Sequence, residues 1–312
     1  MNILKLIPTI QTYVWGGKKL KNEYFKGTNE NTIAETWELS CHPDGTSIIS
    51  SGQYKGVSLY KYISTHGKEI LGTSCNKFED FPILVKLIDA KEKLSIQVHP
   101  NDEYALKNEK QYGKSEMWYV IDAKEDSFIY YGFKNEISKE ELKKRIENNT
   151  LLDVLNKINV KKGNVFFIEP GTVHAIGNDI LIAEIQQSSN ITYRIYDYGR
   201  LGLDEKPREL HIQKGLDVIK REKPKLNYNF GKYLVKCKYF QVEKIEINNS
   251  FKNYANLDSF HSILFIEGEG KISTEEDSLS YKKGDSFFIG AGSGKYRIEG
   301  TGYFLLTTIP KN

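Results

Sequence analysis

The chain has 312 residues, enough for two domains and a well-buried core. Hydrophobic residues make up 39% and charged residues 27%, the composition of an ordinary soluble globular protein. With 44 basic and 41 acidic residues the formal charge is only +3, which gives no argument for nucleic acid or a membrane surface as partner. No segment reaches the roughly 18 apolar residues of a membrane span. The opening MNILKLIPTIQTYVWGG holds one lysine and a short apolar run broken by Pro8, so no signal peptide is expected. Cys41, Cys75 and Cys237 are far apart and in no metal-like spacing, which fits reduced thiols in a cytoplasmic protein.

Twenty tyrosines and 15 phenylalanines favour a mainly β protein. In chain order, the spacing first predicts a helix over SLYKYISTHGKEIL (58–71). The runs ILVKLID, LSIQVH, MWYVID and SFIYYGF then read as strands. A second helix is predicted over 138–158, opening with Ser138 and Glu141 at capping-box spacing. The strands VFFIEP, LIAEIQQ and TYRIYDY follow, and a third helix is predicted over 208–220, after Pro207. Pro224 marks a junction, giving a first domain over 1–222 and a second over 228–312. The second contains YFQVEKIEI, SILFIEGEG, SFFIGAG and YFLLTTI. So many short strands suggest a sandwich or barrel.

Two stretches repeat. KKGNVFFIEPGTVHAIGN (161–178) and KKGDSFFIGAGSGKYRIEG (282–300) share Lys-Lys-Gly, Phe-Phe-Ile and a turn glycine. Each is preceded by an apolar strand pair, so the chain is predicted to hold two copies of one small antiparallel barrel. Only the first copy carries a histidine after its turn, His174; the second has Lys295 there.

Several polar residues fall on shared strand faces. Alternation places Ser95, Gln97 and His99 on one face, with Leu94, Ile96 and Val98 on the other. Glu116 shares a face with Trp118 and Val120. Together with His174 these supply two imidazoles, a carboxylate and an amide, a plausible zinc set with room for water or substrate. Lys86 interrupts the buried run ILVKLI and needs an anionic partner, either a neighbour such as Asp89 or a bound phosphate. Alternation also puts Thr192, Arg194, Tyr196 and Tyr198 together.

The pattern resembles the cupin superfamily. Gly163, Gly171, His174 and Asn178 keep the spacing of its second motif, with Glu169 in the usual proline position. The first motif departs, since its leading histidine is Gln97. That departure, with YVWGGKKL (13–20), AETWELSCHPDGTS (34–47), FPILVKLIDAKEKLSIQVHPND (81–102), YGKSEMWYVI (112–121), IQQSSNITYRIYDYGR (185–200) and PRELH (207–211), is similar to the type I mannose-6-phosphate isomerases in their short bacterial form. The resemblance covers most of residues 1–222. It implies two cupin jelly-roll barrels, the second degenerate, and one zinc ion per chain held by Gln97, His99, Glu116 and His174.

The same resemblance implies interconversion of mannose 6-phosphate and fructose 6-phosphate through a cis-enediol. Lys86, Ser95 and Lys114 would hold the phosphate, and Arg194 would stabilise the developing oxyanion. The proton-moving base is Lys114 or, second, Glu184. Asn190 stands where the family often has Asp, four residues before the arginine, which weakens any ring-opening role at that position. His42 is read as a rim residue, while His66, His211 and His261 have no complete ligand set. Another cupin enzyme (an epimerase or metal-dependent dioxygenase), a non-catalytic sugar- or metal-binding cupin and a purely structural repeat remain as alternatives. A sugar phosphate is the expected partner, with no nucleic acid or membrane, in a monomer or weak homodimer.

Overall fold

The computed structural model describes residues 3–27, 29–202 and 204–311. Strands dominate, as the aromatic-rich alternating runs predict. One sheet has six strands in the order Val165–Ile168, Glu116–Ala123, Ile180–Gln187, Ile83–Ala90, Glu35–Leu39, Thr9–Gln11. A second has five, in the order Leu155–Asn159, Phe128–Phe133, His174–Ile176, Ile96–Val98, Tyr193–Tyr196. A third, nine-stranded sheet is built mainly from the C-terminal part of the chain. All three are antiparallel throughout their named pairings.

The six-stranded sheet is covered on both faces, which is why ILVKLI reads as a continuous apolar run. Ile83, Val85 and Leu87, with Met117, Tyr119, Leu181 and Ile185, pack with Phe260, Leu264, Phe288 and Leu305 of the nine-stranded sheet. The opposite face sends Ile88, Trp118, Val120 and Ile182 against Ile129 and Ile176 of the five-stranded sheet. Lys86, Glu116 and Glu184 share that second face, because side chains alternate along each strand. Ile96 and Val98 point away from it, into a core with Leu142, Ile146 and Leu216 from the helices. Leu94, just ahead of the observed strand, turns the other way and joins the core between the sheets.

Sheet membership does not follow the expected division of the chain at residues 222–228. Strand Ile3–Ile7 pairs with Ser286–Ile289, and Ile48–Ile49 pairs with it in turn, so both lie in the nine-stranded sheet. Ile3 enters the interior of that sheet while Leu4 and Leu6 enter the core shared with the six-stranded one. A strand apolar on both faces needs two-sided burial, which the position beside Ser286–Ile289 provides.

The three predicted helices are all shorter than expected. Leu59–His66 ends at Gly67, whose φ of 86° suits glycine, and a 3-10 turn Lys68–Leu71 follows. Lys139–Glu147 ends near Asn149 in the left-handed region; strand Leu155–Asn159, whose first four residues were expected to be helical, instead pairs with Phe128–Phe133. There the apolar spacing serves a strand. The third helix is Ile212–Val218 only, since the chain ahead of it is tied to a neighbouring strand: the His211 amide donates to the Arg194 carbonyl. Ser138 caps the second helix as predicted, its hydroxyl accepting from the Glu141 amide at 3.0 Å. Ser138→Ala is expected to lower stability by about 1 kcal/mol in urea unfolding.

The sequence repeat is also a structural one. Gly163 and Gly284 have φ of 88° and 87°, Gly171 and Gly292 have 87° and 76°, and each pair brackets a four-residue strand. Ile168 pairs with Glu116, and its counterpart Ile289 pairs with His261. His261 thus occupies the register position of Glu116. It is buried and bonded through Nδ1 to the Tyr296 hydroxyl at 2.9 Å. Phe265, Phe287, Phe304 and Tyr281 fill the surrounding interior.

Candidate active site

His99, Glu116 and His174 meet between the five- and six-stranded sheets, each almost fully buried, with their ligand atoms all within 4.8 Å of one another. Three local features aim them. His99 follows strand Ile96–Val98, Glu116 opens its strand, and His174 begins Val173's continuation after the Gly171 turn. His99 Nδ1 bonds the Ile191 carbonyl at 2.8 Å, and His174 Nδ1 bonds the Thr172 carbonyl at 2.9 Å. A carbonyl can only accept, so each Nδ1 carries the proton and each Nε2 presents a lone pair. His174 Nε2 lies 3.2 Å from Glu116 Oε1, and His99 Nε2 lies 3.5 Å from Oε2. Gln97 is the direct cross-strand partner of His174, with its amide 3.3 Å from Nε2.

These residues fit a divalent metal ion. Neither carboxylate oxygen of Glu116 accepts a well-aligned hydrogen bond, although both are buried. Burial pushes Glu116 above the usual carboxylate range, against the opposing pull of Lys114, whose Nζ is 2.7 Å from Oε2. Burial also drives His99 well below the usual imidazole range, helped by Lys114 and His174, and takes His174 down to about 4. Neutral imidazoles and a buried carboxylate lacking aligned donors are what a cation needs.

A chain of alternating charges runs outward from this set. Lys114 Nζ lies 3.7 Å from Glu184 Oε1; Lys86 Nζ lies 3.5 Å from the same oxygen and 3.2 Å from Glu35 Oε2. Trp118 Nε1 donates to Glu184 at 2.9 Å and Trp37 Nε1 to Glu35 at 2.8 Å. Lys86 also lies over the Trp37 ring, 5.1 Å from its centroid. Burial would raise Glu184, but Lys114 and Lys86 outweigh it and hold the carboxyl below its ordinary range. Burial likewise acts to lower Lys86, and Glu35 with Glu184 overcomes it. The partner of Lys86 is therefore this carboxylate pair, reached across the sheet, where Glu184 is its direct neighbour. Asp89, three residues on and therefore on the opposite face, accepts instead from the Lys19 amide at 2.7 Å.

A cleft of about 280 Å³ opens over these groups, with Lys86, Lys114 and Glu184 on one side and Ser95, Arg194 and Arg208 on the other. Arg194 Nε donates to Ser95 Oγ at 3.3 Å, and one of its terminal nitrogens donates to the Glu209 carbonyl at 2.9 Å. Arg208 is held by two bonds to Asp197, at 2.7 and 2.6 Å. The register shifts between Arg194 and Tyr196, so the expected shared face breaks there: Tyr196 and Tyr198 leave the cleft and pack against the outer core. Asn190 lines the cleft and donates to Asp44 at 3.0 Å.

The other histidines lie apart from the ligand set. His66 is exposed beside Tyr54 and Tyr62, and His42 is buried against Trp37 and does not line the cleft. His211 accepts from the Arg194 amide at 3.3 Å, which helps seat that strand. Glu35, Trp37 and Arg208 were not singled out from the sequence. Alternation in AETWEL would have put Glu35 and Trp37 on one face, but nothing local shows that this face meets Lys86. Arg208 lies within PRELH, with no periodic signal.

The sheets, the cleft and the donor set define a cupin-type enzyme site suited to a metal ion. Residues 3–149 match the family described as phosphomannose isomerase type I, catalytic domain, and residues 230–309 match the mannose-6-phosphate isomerase cupin domain. The chain is 37% identical to mannose-6-phosphate isomerase ManA of Bacillus subtilis (strain 168), over 94% of each protein. It is 38% identical to a mannose-6-phosphate isomerase of Streptococcus mutans, over 88% of each. A crystal structure of the mannose 6-phosphate isomerase from Bacillus subtilis superposes with a TM-score of 0.90 at 34% identity, covering 98% of this chain and 99% of that one. The chain belongs to the type I phosphomannose isomerase family.

Proposed function

We propose that this chain is a zinc-dependent isomerase interconverting mannose 6-phosphate and fructose 6-phosphate through a cis-enediol. The observation that carries this is the buried His99–Glu116–His174 set lying directly behind a cleft lined by a lysine–carboxylate chain and two guanidiniums, joined to it through Lys114, 2.7 Å from Glu116, and Gln97, 3.3 Å from His174. Zinc held by Gln97, His99, Glu116 and His174 would act as a Lewis acid toward the sugar carbonyl.

The chain's own residues would do the rest. A phosphate carries about −1.5 to −2 charges at pH 7 and suits planar, bidentate donors. Arg194 and Arg208 line one wall and offer such donors, with the Ser95 hydroxyl beside them. Lys86, first expected to bind phosphate, is better suited to holding Glu35 and Glu184 ionised, since both already face its ammonium. Lys114 Nζ stands between the ligand set and the open cleft, 3.4 Å from His99 Nε2. We assign it the proton transfer between carbons 1 and 2, with Glu184 orienting it. Arg194 would stabilise negative charge on the enediolate while remaining protonated itself. The same reading takes the nine-stranded sheet as a degenerate second barrel, supported by the matched register of Glu116 and His261.

A coupled assay with mannose 6-phosphate tests the proposal. Zinc-replete protein should turn over, a chelator should abolish turnover, and added zinc should restore it. Chelator-resistant isomerisation would rule out the metal role, and inactivity of zinc-loaded protein would rule out the reaction.

A further inference from the structure

Lys114 and Glu116 stand at the start of the Glu116–Ala123 strand, and each backbone amide leading into it has a fixed acceptor. Gly113 N donates to Asp102 Oδ1 at 3.0 Å, Lys114 N to the Pro100 carbonyl at 3.0 Å, and Ser115 N to Gln187 Oε1 at 2.7 Å. Asp102 opens helix Asp102–Asn108, shortly after His99. Its carboxylate therefore joins the segment bearing one imidazole to the segment bearing Lys114 and Glu116. The same Oδ1 accepts from Gln187 Nε2 at 2.9 Å. Gly113 is required by the closeness of these segments, since a Cβ there would lie 2.4 Å from the Asn101 carbonyl carbon.

The second oxygen of Asp102 is held from a turn joining two strands of the nine-stranded sheet, Val235–Lys236 and Gln241–Ala255. Tyr239, just ahead of strand Gln241–Ala255, donates its hydroxyl to Asp102 Oδ2 at 2.5 Å. The hydroxyl also interacts with Gln187, and the ring lies 6.0 Å from that of Phe78. Lys238 reaches the same carboxylate oxygen only at 3.8 Å, with a largely exposed side chain. The hydroxyl bond is the short, charge-assisted one.

We infer that Tyr239 is a positioning residue for the isomerase reaction. Acting through Asp102 and Gln187, it fixes the 113–116 segment, so the nine-stranded sheet contributes to turnover without touching substrate. This rests on the assignment of Lys114 as the proton carrier. With one oxygen accepting two N–H groups and the other held by a hydroxyl, the Asp102 carboxylate cannot rotate freely. Loss of the hydroxyl releases that restraint on the 113–116 segment that carries Lys114, and catalytic groups tolerate little displacement.

Tyr239→Phe keeps the ring packing and removes only the O–H. Hydrogen–deuterium exchange on chelator-treated protein and steady-state kinetics on zinc-loaded protein give two independent readouts. Amides 113–116 should exchange several-fold faster while those of His261–Glu267 stay unchanged. The kcat should fall about ten-fold with KM within about two-fold of the parent. Tyr233→Phe, which alters a tyrosine of the same region outside this network, should match the parent in both. Unchanged exchange, an unchanged kcat or a uniform acceleration across the chain would overturn the proposal. If the parent protein itself fails to isomerise the sugar, the functional reading falls, and the exchange measurement still decides whether Tyr239 holds the segment.

Discussion

His174→Ala is expected to strip the protein of its metal and of isomerase activity together. The imidazole is one of three buried groups converging on a single point, and Gln97 alone cannot replace it. Losing a mere outer partner of a metal ligand typically costs about 10–100-fold in affinity or activity, so losing the ligand itself should exceed that. Metal content after dialysis, measured by mass spectrometry beside the coupled assay, checks both. A variant that retained a full equivalent of metal and near-parental turnover would remove His174 from the site. The matched control is Lys295→Ala. Lys295 is the exposed counterpart of His174 in the second repeat, and its loss should change stability by no more than about 0.5 kcal/mol and leave turnover intact.

Lys86→Met should produce the largest stability loss. The substitution preserves volume but leaves Glu35 and Glu184 facing each other across a vanished ammonium, with only Lys114 remaining near Glu184. Breaking a buried ion pair by deleting one partner typically costs about 3–5 kcal/mol. The pH dependence follows from the directions of the shifts. Glu184 is held below its ordinary range, so its contribution is present above that range and is lost as pH falls through the folded value. Lys86 is held above its ordinary range, so its contribution is present below that range and is lost only as pH rises through the folded value. Both contributions are therefore in place at neutral pH. Urea unfolding at pH 7 should show the full gap between parent and variant, and the gap should narrow as pH falls below about 4.3. An equal gap at both pH values would mean that Lys86 acts through packing and not through charge.

These results also bear on how much could be read before the fold was known. Alternation along LSIQVH put Ser95, Gln97 and His99 on one face, and the structure has Ser95 and Gln97 lining the cleft with His99 buried in the ligand set behind it. The repeat was legible from two identical Lys-Lys-Gly turns, and the aligned glycines share their left-handed φ values. Residues 155–158 were misread because Leu151 and Leu155 are buried at helical spacing, although the chain between them reverses into a strand. That the first strand would pair with Ser286–Ile289 was not legible, because no local pattern says which edge a two-sided apolar strand will join. The partners of Lys86 were missed for a similar reason: Asp89 is near in sequence, while Glu35 and Glu184 are near only across the sheet.

By itself, then, the sequence determined the mainly β character, the repeat, the family resemblance and the faces on which the polar residues lie. Each of these depends on spacing along one segment, where geometry repeats every two residues and can be read locally. Only the tertiary structure decided which faces meet. It set Glu184 opposite Lys86, brought Arg208 to the cleft and linked Tyr239, in a turn between two strands of the nine-stranded sheet, to Asp102. Those contacts depend on register and sheet order, which are set by burying distant apolar faces against one another and leave no local trace.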